Sequence, residues 1–429
     1  MLRWGARPLL ALALVAGCAP ATPTAPTVAG APAATRPPAA SLRVGTSGNY
    51  PPFSAWRDDR AEGFAGALLG AFAADQKTGI TWTRFRWPDL VGDLRAGRFD
   101  LAADGITVRP ERSIAGRFTV PVARGGAVLI LRRPAWAPPA GSGSAIEALQ
   151  ALDRPELRVA VNRGGHLERV ARSLLVNAKI TAVAENGAVR ETLARGEVDA
   201  LMTNTFEAPR WARGLDGVEL VGPLTRDVVA LYVRADQPDL AARLDTWLLA
   251  QEQSGALGEL RARHLGPGGG GPTALPLDAI LCATAERLAL MPFVAAAKQR
   301  TGKGVEDAAQ EARVIAAARA IVAQAAADHG VPPPPGAIVD AFFQAQMDAA
   351  KAVQQRARLD ASAPAFSLED DLRPAIARIT ARLAFLLVRL PRGLTPAAVT
   401  AKARDDLAES GLQADEIARL AAPIAAFGP

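Results

Sequence analysis

The chain has 429 residues, 49% of them hydrophobic, which is material for two or three domains with cores of their own and argues against a disordered chain. A formal charge of +6 and a pI near 9.8 raise nucleic acid as a partner, but aromatics are only 5% and the arginines are scattered through periodic segments, which argues against it. The cysteines are Cys18 and Cys282; beyond Cys18 a single thiol makes no internal disulfide, so stability must come from packing.

Residues 1–18 read as a targeting signal. Arg3 and Arg7 precede the apolar run from Leu9 to Ala16, which is too short to span a bilayer as a mature helix. Small residues directly before Cys18 resemble the bacterial lipoprotein signal, which implies lipidation of Cys18, a periplasmic chain and membrane contact only through that anchor. An ordinary signal peptide cut near the following Ala-Pro stretch fits the same residues. Residues 19–41 are Ala, Pro and Thr with almost no charge, a tether that buries no core.

From residue 42 to 266, strand-like and helix-like runs alternate. Leu42 to Thr46, Gly79 to Arg84 and Asp100 to Ala103 read as strands, with helices at Gly66 to Gln76, Pro88 to Ala96 and from Pro110. This alternation predicts a parallel α/β sheet. A second run begins with Leu157 to Asn162, and Val228 to Val233 and a helix from Pro238 to His264 follow, so two lobes are expected.

Chemistry concentrates in the turns. Arg112 follows a strand end and opens a helix, where a guanidinium takes a carboxylate bidentately. Asn162, Arg163, Gly164 and Gly165 lead into a helix near His166, where backbone N–H groups can approach an anion, although a plain strand-to-helix turn fits those glycines too. Glu207 sits after a strand and beside Phe206 and Trp211. Partial desolvation there would raise its pKa and keep a proton available near neutral pH; an exposed Glu at a helix start is the alternative.

The ordered set NYPPF (49–53), EGFAG (62–66), RWPDL (86–90), DGITVRPERS (104–113) and RFTVPV (117–122) resembles family 3 periplasmic solute-binding proteins. The segments RWPDL, VNRGGHLERVAR (161–172) and MTNTFEAPR (202–210) are similar, more narrowly, to the periplasmic cyclohexadienyl dehydratases built on that fold. The resemblance implies a two-lobed type II binding-protein domain in which Arg112 clamps a ligand carboxylate and Glu207 is the general acid. It further implies a pocket formed by Tyr50, Phe53, Trp87, Gly105, Thr107, Asn162, Gly165, His166 and Asn204, although a solvent-facing cap fits His166 and ordinary core fits the three aromatics equally well. Asn204 stands where amino-acid-binding members usually carry an Asp for the ligand ammonium, and Leu167 where the dehydratases carry an Asn.

Residues 267–273 are a Gly/Pro linker, which predicts that the parts on either side fold independently. Residues 274–429 read as all-helical, with helices at Leu277 to Arg300, Asp307 to His329, Ala337 to Leu359, Leu368 to Leu390 and Pro396 to Glu409. Ser367 with Asp370 and Thr395 with Pro396 are helix-start signals. Arg287 and Lys298 are eleven residues apart, almost three turns, so they share a face with Leu290, Met291 and Val294, subject to a kink at Pro292. Buried cations need anions; snorkelling to water or pairing with a neighbouring helix would also meet that need.

The segments AERLALMPFVAAAKQR, GVEDAAQEARV and AFFQAQMDAAKAVQ, in that order, resemble the secreted subclass of all-helical chorismate mutases. The resemblance implies substrate contacts from Arg287, Lys298, Glu311, Gln354 and Arg382, together with Asp307 and Gln310, the last standing where that family has an Arg. It implies conversion of chorismate to prephenate without cofactor or metal, and, with the first domain, onward conversion of prephenate to phenylpyruvate, with arogenate an alternative substrate that Asn204 counts against. A carboxylate-binding protein joined to a mutase is the alternative expectation. The sequence leaves the oligomeric state open, a homo-oligomer included.

Overall fold

A computed structural model describes residues 41–133, 144–266, 269, 271–306, 308–358 and 364–427. Cys18, the signal and most of the tether, and Asp307 lie outside the described residues.

Each lobe of the α/β part is built on a five-stranded sheet of the same plan. In the first, the strand order is Gly79–Arg84, Ser41–Thr46, Leu101–Ala102, Asp227–Arg234, Gly116–Gly125. The first three are parallel and the last two join antiparallel. In the second, the order is Lys179–Val183, Arg158–Asn162, Ala200–Asn204, Ala127–Arg132, Val218–Val221, again three parallel strands and then antiparallel partners. The expected parallel sheet therefore holds for three strands of each lobe only. The reversed strand, Asp227–Arg234, is buried along most of its length, as a central parallel strand would be, so its apolar run gave no sign of its direction. The chain crosses to the second lobe between Gly125 and Ala127 and returns before Asp227, which brings the ends of both sheets to one cleft. A small sheet of Asn49–Tyr50, Ser54–Arg57 and Arg60–Glu62 carries Tyr50 and Phe53.

Helix Phe64–Asp75 buries Leu68, Leu69 and Phe72 against the first sheet, and Trp247 of helix Pro238–Gln253 meets Phe72 edge-on at 5.4 Å. The single helix expected from Pro238 to His264 is two, because Gly255 takes a left-handed φ of 85° and starts a second helix, Ala256–Leu265.

The C-terminal part is helical throughout: Pro276–Ala289, Met291–Arg300, Ala308–His329, Gly336–Arg356, Arg373–Leu387, Pro396–Asp406 and Ala414–Ala425. The first expected helix breaks at Leu290 because Pro292 has no N–H to donate to Leu288. The helix Ala414–Ala425 was not read from the sequence. Ser367 and Thr395 accept from the N–H groups of Asp370 and Ala398, at 3.1 and 3.2 Å.

The α/β and helical parts belong to one compact unit and share one buried core, in which Leu281, Leu288 and Leu383 join Val120, Val122 and Leu244. Beyond the Gly/Pro segment the chain is tied down at once: the N–H groups of Thr273 and Ala274 donate to Glu252 Oε2 at 3.1 and 2.9 Å, and Glu252 pairs with buried Arg261. The expectation of two independently folding parts overlooked this packing, because a Gly-rich segment reports its own freedom and nothing about the surfaces it joins.

Candidate functional site

The cleft between the lobes is lined by most of the residues expected there. Tyr50, Phe53, Trp87, Gly105, Thr107, Arg112, Asn162, Gly165, His166 and Asn204 all border it, joined by Asn186 and Asp227. Its aromatic wall is set by ring packing: Tyr50 stacks on Phe53 at 5.7 Å and meets Trp87 edge-on at 5.4 Å. Gly105 has φ of +63°, and a Cβ there would stand 2.5 Å from the Phe53 ring, so only glycine lets the strand end and the ring coexist. The cavity is narrow, about 40 Å³. Ligand pockets run to roughly 300 Å³ and above, so the cleft as it stands is smaller than a site for such a ligand.

Arg112 is the cation of the cleft. It lies on the short helix Pro110–Ala115, is 2% exposed, donates from Nη1 to the Thr107 carbonyl at 2.9 Å and stands 5.9 Å from the Trp87 ring. No carboxylate pairs with it among the described residues, and its buried Nε has no hydrogen-bond partner. Burial lowers its pKa to about 9. A desolvated guanidinium with an unmet donor is a site prepared for an anion.

On the opposite side, helix His166–Leu174 begins at Gly165 and points its N-terminus at the cleft. His166 Nε2 lies 2.9 Å from Asp227 Oδ1, a pair that ties the second lobe to the first. The pair was not anticipated, since no spacing links residues 61 apart.

Glu207 lies in the turn after the strand Ala200–Asn204, as expected, but its burial is complete. It is 0% exposed, stands at the residue before the helix Ala208–Ala212 without a side-chain capping bond, and does not border the cavity. Asn186 Nδ2 donates to its Oε1 at 2.7 Å, while Thr203 Oγ1 and Asn204 Nδ2 reach Oε2 at 2.8 and 3.4 Å. Asn162 in turn donates to Asn186 at 3.1 Å, so two cavity-facing amides hold the carboxyl. Desolvation outweighs these hydrogen bonds and raises the Glu207 pKa to about 7, which keeps a proton on it near neutrality. Asp104, also buried, is raised to about 6 by the same cause. The Tyr50 hydroxyl meets Asn204 Nδ2 and links the aromatic wall to this group.

In the helical part the expected residues divide. Arg287 is 8% exposed, donates to the Gln346 carbonyl at 2.9 Å, has no carboxylate partner among the described residues, and is lowered by burial to about 10. Gln354 is buried and bonds to Ala350 O at 3.2 Å, leaving its Oε1 without a partner. Gln346, which sequence reasoning missed, is 0% exposed, bonds to Thr284 at 3.0 Å and likewise leaves Oε1 unmet. Lys298 Nζ donates to Val305 O at 2.8 Å. Glu311 pairs with Lys351 at 3.2 Å, and Gln310 accepts from Arg313 at 2.8 Å. Arg382 needs correction: its guanidinium is bound to Glu286 and to the Phe118 carbonyl, so it faces the α/β part instead of joining Arg287. Among the described residues no group of three or more His, Cys, Asp or Glu could hold a metal.

Residues 42–267 match the family described as bacterial extracellular solute-binding proteins, family 3, and residues 278–355 match chorismate mutase type II. The cyclohexadienyl dehydratase of Pseudomonas aeruginosa is 29% identical over 222 residues, 50% of this chain and 79% of that protein. The ABC transporter arginine-binding protein 1 of Escherichia coli is 28% identical over 99 residues, 23% of this chain and 41% of that protein. The crystal structure of an ancestral amino-acid-binding protein, a precursor of cyclohexadienyl dehydratase, has 25% identity and a TM-score of 0.47, covering 52% of this chain and 95% of that one. With more than half its length matched, the chain belongs to the family 3 bacterial extracellular solute-binding proteins and continues into a chorismate mutase type II segment.

Proposed function

We propose that the chain is an exported bifunctional enzyme that isomerises chorismate to prephenate in its helical part and converts prephenate to phenylpyruvate in its cleft. The observation that carries the second reaction is a buried Arg112 with an unmet donor in a cleft whose Asn186 and Asn204 lining holds, just behind it, a carboxyl kept protonated near neutral pH. In this reading Arg112 takes a substrate carboxylate. The ring carboxylate leaves as carbon dioxide, its bonding electrons aromatise the ring, and the ring hydroxyl departs as water on the proton from Glu207. Asn186 and Asn204, once drawn onto the ligand, release Glu207 toward the cavity. Likeness to the dehydratase of Pseudomonas aeruginosa supports the assignment.

The isomerisation needs no nucleophile. It requires a compact conformer to be held and charge to be stabilised at the breaking ether bond, which cationic and amide donors supply. Arg287, desolvated and without a carboxylate partner, is placed to hold a substrate anion, and the type II mutase match supports this. Export by a lipoprotein signal, with Cys18 as the anchor, belongs to the same proposal.

One observation favours a second reading, a carboxylate-binding protein joined to a mutase: Glu207 does not itself border the cavity. The test is to mix the purified protein with prephenate at neutral pH and follow phenylpyruvate. Formation of phenylpyruvate above the spontaneous rate supports the dehydratase; binding without conversion supports the second reading.

A further inference from the structure

A cavity that accepts a carboxylate must also accept or reject what the neighbouring carbon carries. For a 2-keto acid that group is a neutral carbonyl oxygen. For the matching amino acid it is an ammonium, which on leaving water needs a carboxylate or loses several kcal/mol. The choice is therefore written in the carboxylates of the cavity, whichever way the ligand lies.

Among the described residues, Asp227 is the only Asp or Glu in the lining. Its Oδ1 is taken by His166 Nε2 at 2.9 Å. The two carboxyls behind the wall, Glu207 and Asp104, do not border the cavity. Glu207 is held by Asn186, Thr203 and Asn204, and Asp104 by the Ser47 N–H at 2.8 Å and by the Ser54 hydroxyl. The remaining polar lining is Arg112, a cation, with the neutral groups Tyr50, Thr107, Asn162, Asn186 and Asn204. An incoming ammonium would meet a buried guanidinium, and the one lining carboxylate already shares its Oδ1 with His166. A keto oxygen would meet amide donors.

We propose that the cleft selects a keto-carboxylate over its amino counterpart, and that His166, by holding Asp227, is the residue that sets this choice. The proposal rests on the dehydratase reading for its substrates, prephenate with the keto side chain and arogenate with the amino side chain. His166 acts here as a specificity-determining residue. It comes from the second lobe and Asp227 from the first, so the pair forms when the lobes meet and both residues also border the wider space, about 1010 Å³, between the cleft and the helical part.

The experiment compares kcat/KM for prephenate and arogenate at mildly alkaline pH in the full chain and its variants. Prephenate should be preferred by about a hundredfold or more, the scale on which an unpaired buried polar group discriminates. His166→Ala exposes Asp227 and should lower that ratio at least about tenfold, whereas His166→Gln, which still donates to Asp227, should keep most of it. The double variant His166→Ala/Asp227→Asn should lose the gain for arogenate. The ratio is the readout, because damage to the fold lowers both substrates together. Equal use of both substrates by the wild type, or an unchanged ratio in His166→Ala, overturns the proposal while leaving the dehydratase reading intact. If neither substrate is converted, the dehydratase reading fails, and calorimetry with phenylpyruvate and phenylalanine then reads selectivity directly. Binding of phenylpyruvate alone supports the proposal; equal binding of both, or of neither, overturns it.

Discussion

Glu207→Gln tests the environment of Glu207 without relying on catalysis. The wild-type carboxyl has a folded pKa of about 7 against an ordinary 4.5. Below pH 4.5 both folded and unfolded chains hold the proton. Between 4.5 and 7 only the folded chain holds it, so the stability this group contributes falls as pH rises through that window. The difference corresponds to about 3 kcal/mol once pH is above 7. Glutamine is uncharged at every pH, can accept from Asn186 and donate to Thr203, and so escapes the penalty. Glu207→Gln should therefore be more stable than wild type at pH 8, by up to about 3 kcal/mol, with the advantage gone by pH 4.5. Urea denaturation at the two pH values measures this. The last of the seven tryptophans is Trp247, so tryptophan fluorescence follows the α/β part. A variant no more stable than wild type at pH 8, or one whose advantage is the same at both pH values, refutes the reasoning.

Arg287→Met removes a buried cation that has no carboxylate partner; stability should hold or rise by about 1–4 kcal/mol, while chorismate consumption falls by about a hundredfold or more. Arg382→Met leaves Glu286 buried and unpaired and should cost about 3–5 kcal/mol in denaturation of the full chain, yet turnover of chorismate per folded molecule should change little because Arg382 faces the α/β part. Gly105→Ala forces an L residue into a positive φ and against the Phe53 ring; prephenate KM, followed by initial rates, should rise about tenfold or more while the mutase step is spared.

Much of the cleft was legible because its residues sit where strands end, and strand ends carry recognisable turns. Arg112 follows such an end, Gly105 lies in one, and Asn162 to His166 span another. Asn186 and Asp227 were invisible for the opposite reason: each is one polar residue opening an ordinary helix or strand. Asn186 meets Glu207 only through the packing of the second lobe, and Asp227 meets His166 only because the chain crosses between lobes. Desolvation of Glu207 was foreseen from Phe206 and Trp211, but not its retreat behind two amides, which depends on Asn186 from a distant helix. Arg287 and Arg382 show the limit in the helical part. Periodicity gives the face of a helix, not its neighbour, and the helix Arg373–Leu387 contacts both the helical bundle and the α/β part. The antiparallel returns escaped because a strand buried on both faces looks the same in either direction.

The most direct test of the central claim supplies chorismate to the full chain at neutral pH and follows chorismate, prephenate and phenylpyruvate together by chromatography. Neutral pH matters because prephenate loses water and carbon dioxide spontaneously in acid. The wild type should convert chorismate through prephenate to phenylpyruvate, and Glu207→Gln should accumulate prephenate, its second step slowed by about a hundredfold or more. Lys298→Ala should leave chorismate unconsumed yet still convert added prephenate. Disappearance of chorismate with prephenate as the sole product of the wild type would contradict the dehydratase assignment, and chorismate left untouched by the wild type would contradict the mutase assignment.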